Sequence, residues 1–289
     1  MTQVSAFERA QSKETTMIAR ENNSLTTGYA SVNGLRMYYE IEGSGDPLVF
    51  LPAAFVHAQM RSFPELAQNH SLIKIDPQGQ GRTADLPERR RTLEQDADDI
   101  AALLGSLGVS RADFFGESYG GATAVLVALR HPALVRRVAT FGATFGPAEL
   151  AHNLDMLCFA EPPTADSRCF RVQRESYQQV APDPAYWPKM WNKVASIPWA
   201  GFTKEELASI QARVLIALGD KDFVRVEHAL ETSRLIPNAE LAVIPDAGHF
   251  LLFSEPERLT SVVKHFLEKP EPQPPVATAG AGYQPGETR

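Results

Sequence analysis

The chain has 289 residues, enough for one domain with a large core or for a domain carrying an insertion. Hydrophobic residues make up 44% and charged residues 22%, the balance of an ordinary globular protein and not of a fibrous or low-complexity one. A net charge of -7 supplies no electrostatic footprint for a nucleic-acid partner, and suits a neutral or apolar small molecule at least as well.

Residues 1–24 are polar and without apolar periodicity, which predicts a loosely held N-terminal arm. "TTGYASVNG" and "LRMYYEIEG" read as an antiparallel pair turned at Asn33-Gly34. Six further β runs follow: "PLVFLPA", "SLIKIDP", "ADFFGES", "VRRVATFGA", "RVLIALGD" and "AELAVIPDAG". Most are continuous apolar runs, expected of strands buried on both faces of a parallel sheet. Thr92 and Gln95 form a candidate capping box for a helix carrying Leu93, Ala97, Ile100, Leu104 and Leu107, stopped at Gly108. Ser254 and Glu257 repeat the pattern before a last helix with Leu259, Val262, Val263 and Phe266 on one face. Alternation of this length predicts a doubly wound α/β fold with a mostly parallel sheet.

One stretch breaks the alternation after the sixth strand. Residues 147–207 read as helix and loop and hold all three tryptophans, Trp187, Trp191 and Trp199, with Met156, Phe159, Phe170, Tyr177, Tyr186 and Met190. A helical cap inserted there divides the core into 25–146 and 208–269, and most of its aromatics are expected to form the cap's own small core. Residues 270–289, rich in Pro, Gly and Ala, read as a disordered tail.

Gly116-Glu117-Ser118-Tyr119-Gly120 joins a β run to a helix of small residues. A turn that sharp forces unusual dihedrals on its central residue, tolerates only small neighbours, and exposes the Ser118 hydroxyl at the carboxyl edge of the sheet. It also places the Tyr119 N–H at a helix N-terminus, where negative charge is favoured. A serine needs a base. Of the seven histidines, His249 follows a β run and a turn and precedes the final helix, which puts it at the same edge; His131 ends the serine's helix and His265 lies inside the last one. Asp222, in "ALGDKDFV", is placed to orient the imidazole, with Asp220 as a turn residue and Asp246 too near His249 in sequence.

On Gly116–Gly120, Gly219-x-x-Asp222, Gly248-His249-Phe250 and "DPQGQGRT" (Asp76–Thr83), the chain resembles the α/β-hydrolase superfamily, in particular its lidded serine esterases, over about residues 26 to 269. The resemblance implies the triad Ser118, Asp222 and His249, acting through an acyl-enzyme. It implies an oxyanion hole built from the N–H groups of Tyr119 and Ala54, with Ala53 as the alternate. Pro52-Ala53 stands where relatives often carry His-Gly, a departure that bears on the details of that hole. The Asp76–Thr83 turn is expected to set its loop beside the site, and Glu117 to bond nearby loops. Phe55, Trp187 and Trp191 are the candidates to contact substrate.

The function expected is hydrolysis of small to medium apolar carboxylic esters, without cofactor or metal. The same triad also suits a lactonase, a carbon–carbon bond hydrolase, an aminopeptidase or a perhydrolase; a hydrolase-like small-molecule receptor is the reading from another class. No stretch is apolar enough to span a membrane, the first twenty residues lack a signal-peptide-like run, and Cys158 and Cys169 show no metal-ligand spacing. Two reduced thiols, a cytoplasmic setting and a possible homodimer are the corresponding expectations.

Overall fold

The computed structural model describes residues 25–146 and 164–269. The expected N-terminal arm, the C-terminal tail, Met156, Cys158, Phe159 and the Cys169 side chain lie outside the described residues. Eight strands form one sheet: β1 (Thr26–Val32), β2 (Leu35–Glu42), β3 (Asp46–Leu51), β4 (His70–Ile75), β5 (Ala112–Glu117), β6 (Val135–Phe141), β7 (Arg213–Gly219) and β8 (Ala239–Ile244). Their order is β1-β2-β4-β3-β5-β6-β7-β8. β1 and β2 are antiparallel, β2 runs antiparallel to β4, and every pair from β4 to β8 is parallel. Asn33 and Gly34 both take positive φ (49° and 80°), as the two-residue hairpin turn requires.

Nine helices flank the strands among the described residues: α1 (Pro64–Ala67), α2 (Leu93–Ser106), α3 (Tyr119–Arg130), α4 (Arg171–Val180), α5 (Trp187–Ala195), α6 (Lys204–Ser209), α7 (Val226–Leu235), α8 (Leu251–Ser254) and α9 (Pro256–Glu268). None is long and apolar enough to cross a membrane.

The two-faced burial of the central strands follows their side-chain alternation. In β3, Val49 and Leu51 join a core with α2 and α3, while Leu48 and Phe50 join a second core with α1 and α9. β5 and β7 divide the same way, Phe114 and Ile216 to one face, Phe115 and Leu215 to the other. β8 departs from the expectation of a strand buried on both sides. It closes the sheet's edge, where all but Ile244 keep some exposure.

Two helix starts differ from their sequence signals. Thr92 caps α2 by accepting the Gln95 N–H at 3.1 Å, but the Gln95 side chain turns to Asp99, so only half the box forms. Ser254 does not cap α9. Pro256 occupies the first turn with Glu255 as the cap residue, and the Ser254 hydroxyl donates back to the Leu251 carbonyl, completing α8. A proline at that position has its φ already set for a helix start and no N–H for a cap to satisfy.

The parallel strands end in register. Leu51 pairs with Gly116, Glu117 with Phe141, Phe141 with Ala217, and Gly219 with Ile244. The loops leaving β3, β5, β6, β7 and β8 therefore meet along one carboxyl edge, where ligands of open α/β sheets bind.

Candidate active site

Ser118 stands between β5 and α3 with φ 52° and ψ -114°. Backbone strain of this kind costs about 1–3 kcal/mol, no more than the burial of one or two core leucines returns, so the surrounding sheet can hold it. The elbow is closed tightly. The Ser118 N–H donates to the Phe141 carbonyl at 2.7 Å. A Cβ at Gly116 would lie 2.3 Å from the Gly120 carbonyl oxygen, and one at Gly120 would lie 2.2 Å from that of Leu51. Only glycine permits the strand, the turn and the helix to approach so closely.

His249 reaches this serine from the loop after β8. Its Nε2 lies 3.1 Å from Ser118 Oγ, and its Nδ1 lies 2.9 Å from Asp222 Oδ1. The Asp222 side chain is fully buried and that of His249 is 11% exposed. Asp222 Oδ1 also accepts the Val224 N–H at 3.0 Å, which holds the carboxylate in place. With Nδ1–H donating to Asp222, Nε2 is left to accept from the serine hydroxyl, the tautomer that base catalysis needs. Phe223 covers the imidazole, its ring centroid 4.1 Å away. Asp220, at the end of β7, instead accepts the Ala247 N–H at 3.1 Å and so braces the turn that leads to His249, while Asp246 pairs with Lys221.

Tyr119 opens α3, where first-turn N–H groups have no intrahelical acceptor. Its hydroxyl donates to Asp96 Oδ2 at 2.7 Å, and the same oxygen accepts from Arg91 Nη2 at 2.8 Å. Burial pushes the Tyr119 phenol well above its ordinary value, with the Asp96 charge adding to the effect. Ala53 and Ala54 lie in the segment after β3, which is held from behind by the Asp76–Thr83 loop. Gln80 Nε2 donates to the Val56 carbonyl at 2.5 Å and to that of Ala53 at 3.2 Å, and Asp76 accepts the N–H groups of Ala58 and Arg82, each at 2.9 Å. Asp76 is fully buried, which raises its pKa to about 6 against the lowering effect of those two bonds.

The aromatic candidates share one buried cluster. Trp187 is covered on all sides, its N–H donating to the Ala165 carbonyl at 2.8 Å and its ring packed on Tyr177, so it belongs to the core of the inserted helices. Trp191 stacks on Phe55 with centroids 5.7 Å apart and planes 16° from parallel, and Phe170 meets both edge-on. The cluster thus joins α5 to the residue that follows Ala54.

Two features at the site carried no clear sequence signal, and of a third, the bonding of Glu117, only a nearby loop is expected from sequence and not the partner. Gly142, just past β6, has φ 61°, and a Cβ there would lie 2.7 Å from His249 Nδ1 and 3.0 Å from Asp222 Oδ2; a glycine directly after a β run was its only trace. Glu117 bonds Arg61, 56 residues away, through both carboxylate oxygens. His57 is buried, with Nδ1 2.8 Å from Gln59 Oε1 and Nε2 2.7 Å from Ser176 Oγ of α4.

Comparison with known proteins agrees with the fold. A profile of the alpha/beta hydrolase family matches residues 48–262, and the chain belongs to that family. It is similar to the mouse (Mus musculus) serine hydrolase BPHL, 23% identical over 264 residues, covering 87% of this chain and 89% of that one. A 2-hydroxymuconate semialdehyde hydrolase of Pseudomonas sp. (strain CF600) is 25% identical over 257 residues, 81% of this chain and 91% of that one. Among solved structures, a meta-cleavage product hydrolase of Pseudomonas fluorescens superposes with a TM-score of 0.69 at 20% identity, over 83% of this chain and 96% of that one. The expected fold is thereby borne out, and with it hydrolase chemistry as the family's activity.

Proposed function

We propose that the chain is a serine hydrolase that cleaves small to medium apolar carboxylic esters through an acyl-enzyme. One observation carries the reading: the Ser118 hydroxyl, His249 and buried Asp222 stand in hydrogen-bonded series, at 3.1 and 2.9 Å, at the carboxyl edge of the sheet. Ser118 Oγ attacks the ester carbonyl carbon as its proton passes to His249 Nε2. The carbonyl oxygen takes the negative charge and accepts hydrogen bonds from the N–H groups of Tyr119 and Ala54. When the tetrahedral adduct collapses, the C–O bond breaks and the alcohol leaves with the proton from His249. A water then gives a proton to His249 and attacks the acyl carbon; the proton returns to Ser118 Oγ as the acid departs. Asp222 stays ionised throughout and holds the imidazolium.

Phe55, which follows the Ala54 donor, and Trp191, stacked on it, form the apolar wall, with the helices of the insertion acting as a lid above it. Replacement of the nucleophile is the direct test. Ser118→Ala is expected to lower kcat for p-nitrophenyl butyrate by about 10^4-fold or more while the variant stays folded. Turnover equal to the wild type would end the proposal.

A second reading, the same triad working on an unsaturated oxo acid, is favoured by the similarity to a 2-hydroxymuconate semialdehyde hydrolase. Such a substrate carries a carboxylate. The guanidinium next to the elbow, that of Arg61, is closed by a carboxylate of the chain, Glu117, and by the Met60 carbonyl. That pairing favours the neutral ester, and a panel of esters and oxo acids separates the two.

A further inference from the structure

Buried ion pairs contribute little net stability, because the loss of hydration offsets the attraction; well-packed apolar residues in their place are often as stable or more so. The Arg61–Glu117 pair therefore calls for a reason other than stability. Both side chains are almost entirely buried, 1% and 2% exposed. Arg61 Nε donates to Glu117 Oε2 at 3.0 Å and Nη2 to Oε1 at 2.7 Å, a two-point fork that fixes direction as well as distance. Nη1 donates to the Met60 carbonyl at 3.3 Å, and the Phe253 ring covers the guanidinium at 3.5 Å from its centroid. The guanidinium thus has no room to swing.

The two ends of this fork matter for where they sit. Glu117 is the last residue of β5 and directly precedes Ser118 and Tyr119. Arg61 ends the segment that leaves β3 and carries Ala53 and Ala54. Backbone pairing aligns β3 with β5 only as far as Leu51 and Gly116. Past that point the segment's other side-chain fasteners run to the loop after β4, through Gln80 on Ala53 and Val56 and Asp76 on Ala58, and to α4, through His57 on Ser176, and not to the elbow. The Arg61–Glu117 fork connects the segment to the elbow itself.

We propose that Arg61 and Glu117 are positioning residues whose fork sets the separation of the Tyr119 and Ala54 N–H groups, and with it the fit to the oxyanion. The proposal rests on the reading of Ser118 as the nucleophile. Glu117→Gln separates positioning from charge. It leaves the Arg61 cation next to the elbow, so a purely electrostatic role predicts a higher kcat, whereas a positioning role predicts a lower one.

The test uses the full-length chain. In Arg61→Met/Glu117→Leu, charge and fork are removed together and the site is refilled with apolar side chains. The melting temperature is expected to hold or rise. The kcat for p-nitrophenyl butyrate is expected to fall about tenfold to a hundredfold with KM nearly unchanged, the cost of donors displaced by a fraction of an ångström to an ångström. Arg61→Lys keeps the charge, loses the fork, and is expected to move kcat the same way; it serves if the double variant does not fold. Wild-type kcat in a folded double variant or in Arg61→Lys, or a raised kcat in Glu117→Gln, would overturn the proposal. Fluorophosphonate labelling keeps its failure apart from that of the nucleophile reading. No adduct on Ser118 in the wild type contradicts the latter, while equal labelling rates in wild type and double variant contradict only the positioning role.

Discussion

A serine hydroxyl becomes a nucleophile only if its base is in reach and in the right tautomer, and here each condition depends on particular residues. The Val224 N–H fixes Asp222, Asp222 fixes Nδ1 of His249, and the strained Ser118 backbone brings Oγ to Nε2. Gly142 adds a steric condition, since its missing side chain leaves the room that His249 and Asp222 occupy. Gly142→Ala is therefore expected to push the imidazole off line and to strain a backbone at φ 61°. A fall in kcat of about a hundredfold with little change in KM, measured on p-nitrophenyl butyrate, is the expected result. An alanine variant with wild-type kcat would show that the space is not needed. Ser118, Asp222 and His249 were legible in the sequence because each sits in a short polar loop directly after an apolar run. Gly142 and Arg61 were not, since the contacts that give them meaning are made across the fold, by residues with no spacing or pattern in common.

At the scale of elements, the segment after β3 is clamped from three sides: by the Asp76–Thr83 loop, by β5 through Arg61, and by α4 through His57 and Ser176. The inserted helices have a second attachment in Asp85. Lys193 donates to Asp85 Oδ2 at 2.6 Å and to the carbonyls of Leu86 and Arg89, and the Tyr186 hydroxyl donates to the same carboxylate at 2.6 Å. His57 makes the first attachment sensitive to acid. Burial lowers its pKa from 6.5 to about 4, with the Gln59 contact opposing and Arg82 and Arg61 assisting. The unfolded chain therefore binds a proton at His57 more readily than the folded one. The stability it contributes is present above pH 6.5 and is lost as the pH falls toward 4, by about 3 kcal/mol in all at 1.36 kcal/mol per unit. Asp76, raised to about 6 from 3.8, has the opposite sign: its contribution is present below pH 3.8 and is lost as the pH rises through 6. Denaturant midpoints for wild type and His57→Gln, followed from pH 7 to pH 4.5, cancel the Asp76 effect. The wild type should lose more stability over that range than the variant, and parallel curves would contradict the account. The half-formed box at Thr92 and the displaced start of α9 belong to this scale as well. A capping pattern names residues able to cap, but the competing partner Asp99 and the proline at the first turn decide what they do.

For the molecule as a whole, the mostly parallel sheet converts sequence order into a site. Residues more than a hundred positions apart, Ser118 and His249, meet because β5 and β8 end at the same edge. The architecture was legible because strands buried on both faces carry continuous apolar stretches, as Leu48–Leu51 of β3 and Val214–Leu218 of β7 do. β8 keeps some exposure because its place in the sheet makes it an edge, and place is not local information. Sequence likewise does not show which indole is enclosed more deeply: Trp187 is 1% exposed and packs on Tyr177, and Trp191 is 7% exposed and stacks on Phe55. The central claim is that one activated serine does the chemistry of this chain. The measurement that reaches it most directly is mass-spectrometric mapping of the adduct left by a fluorophosphonate on the native protein. A single adduct on Ser118, abolished by unfolding or by His249→Ala, is the result predicted. A native protein that takes up no label, or takes it up at another residue, would contradict the claim.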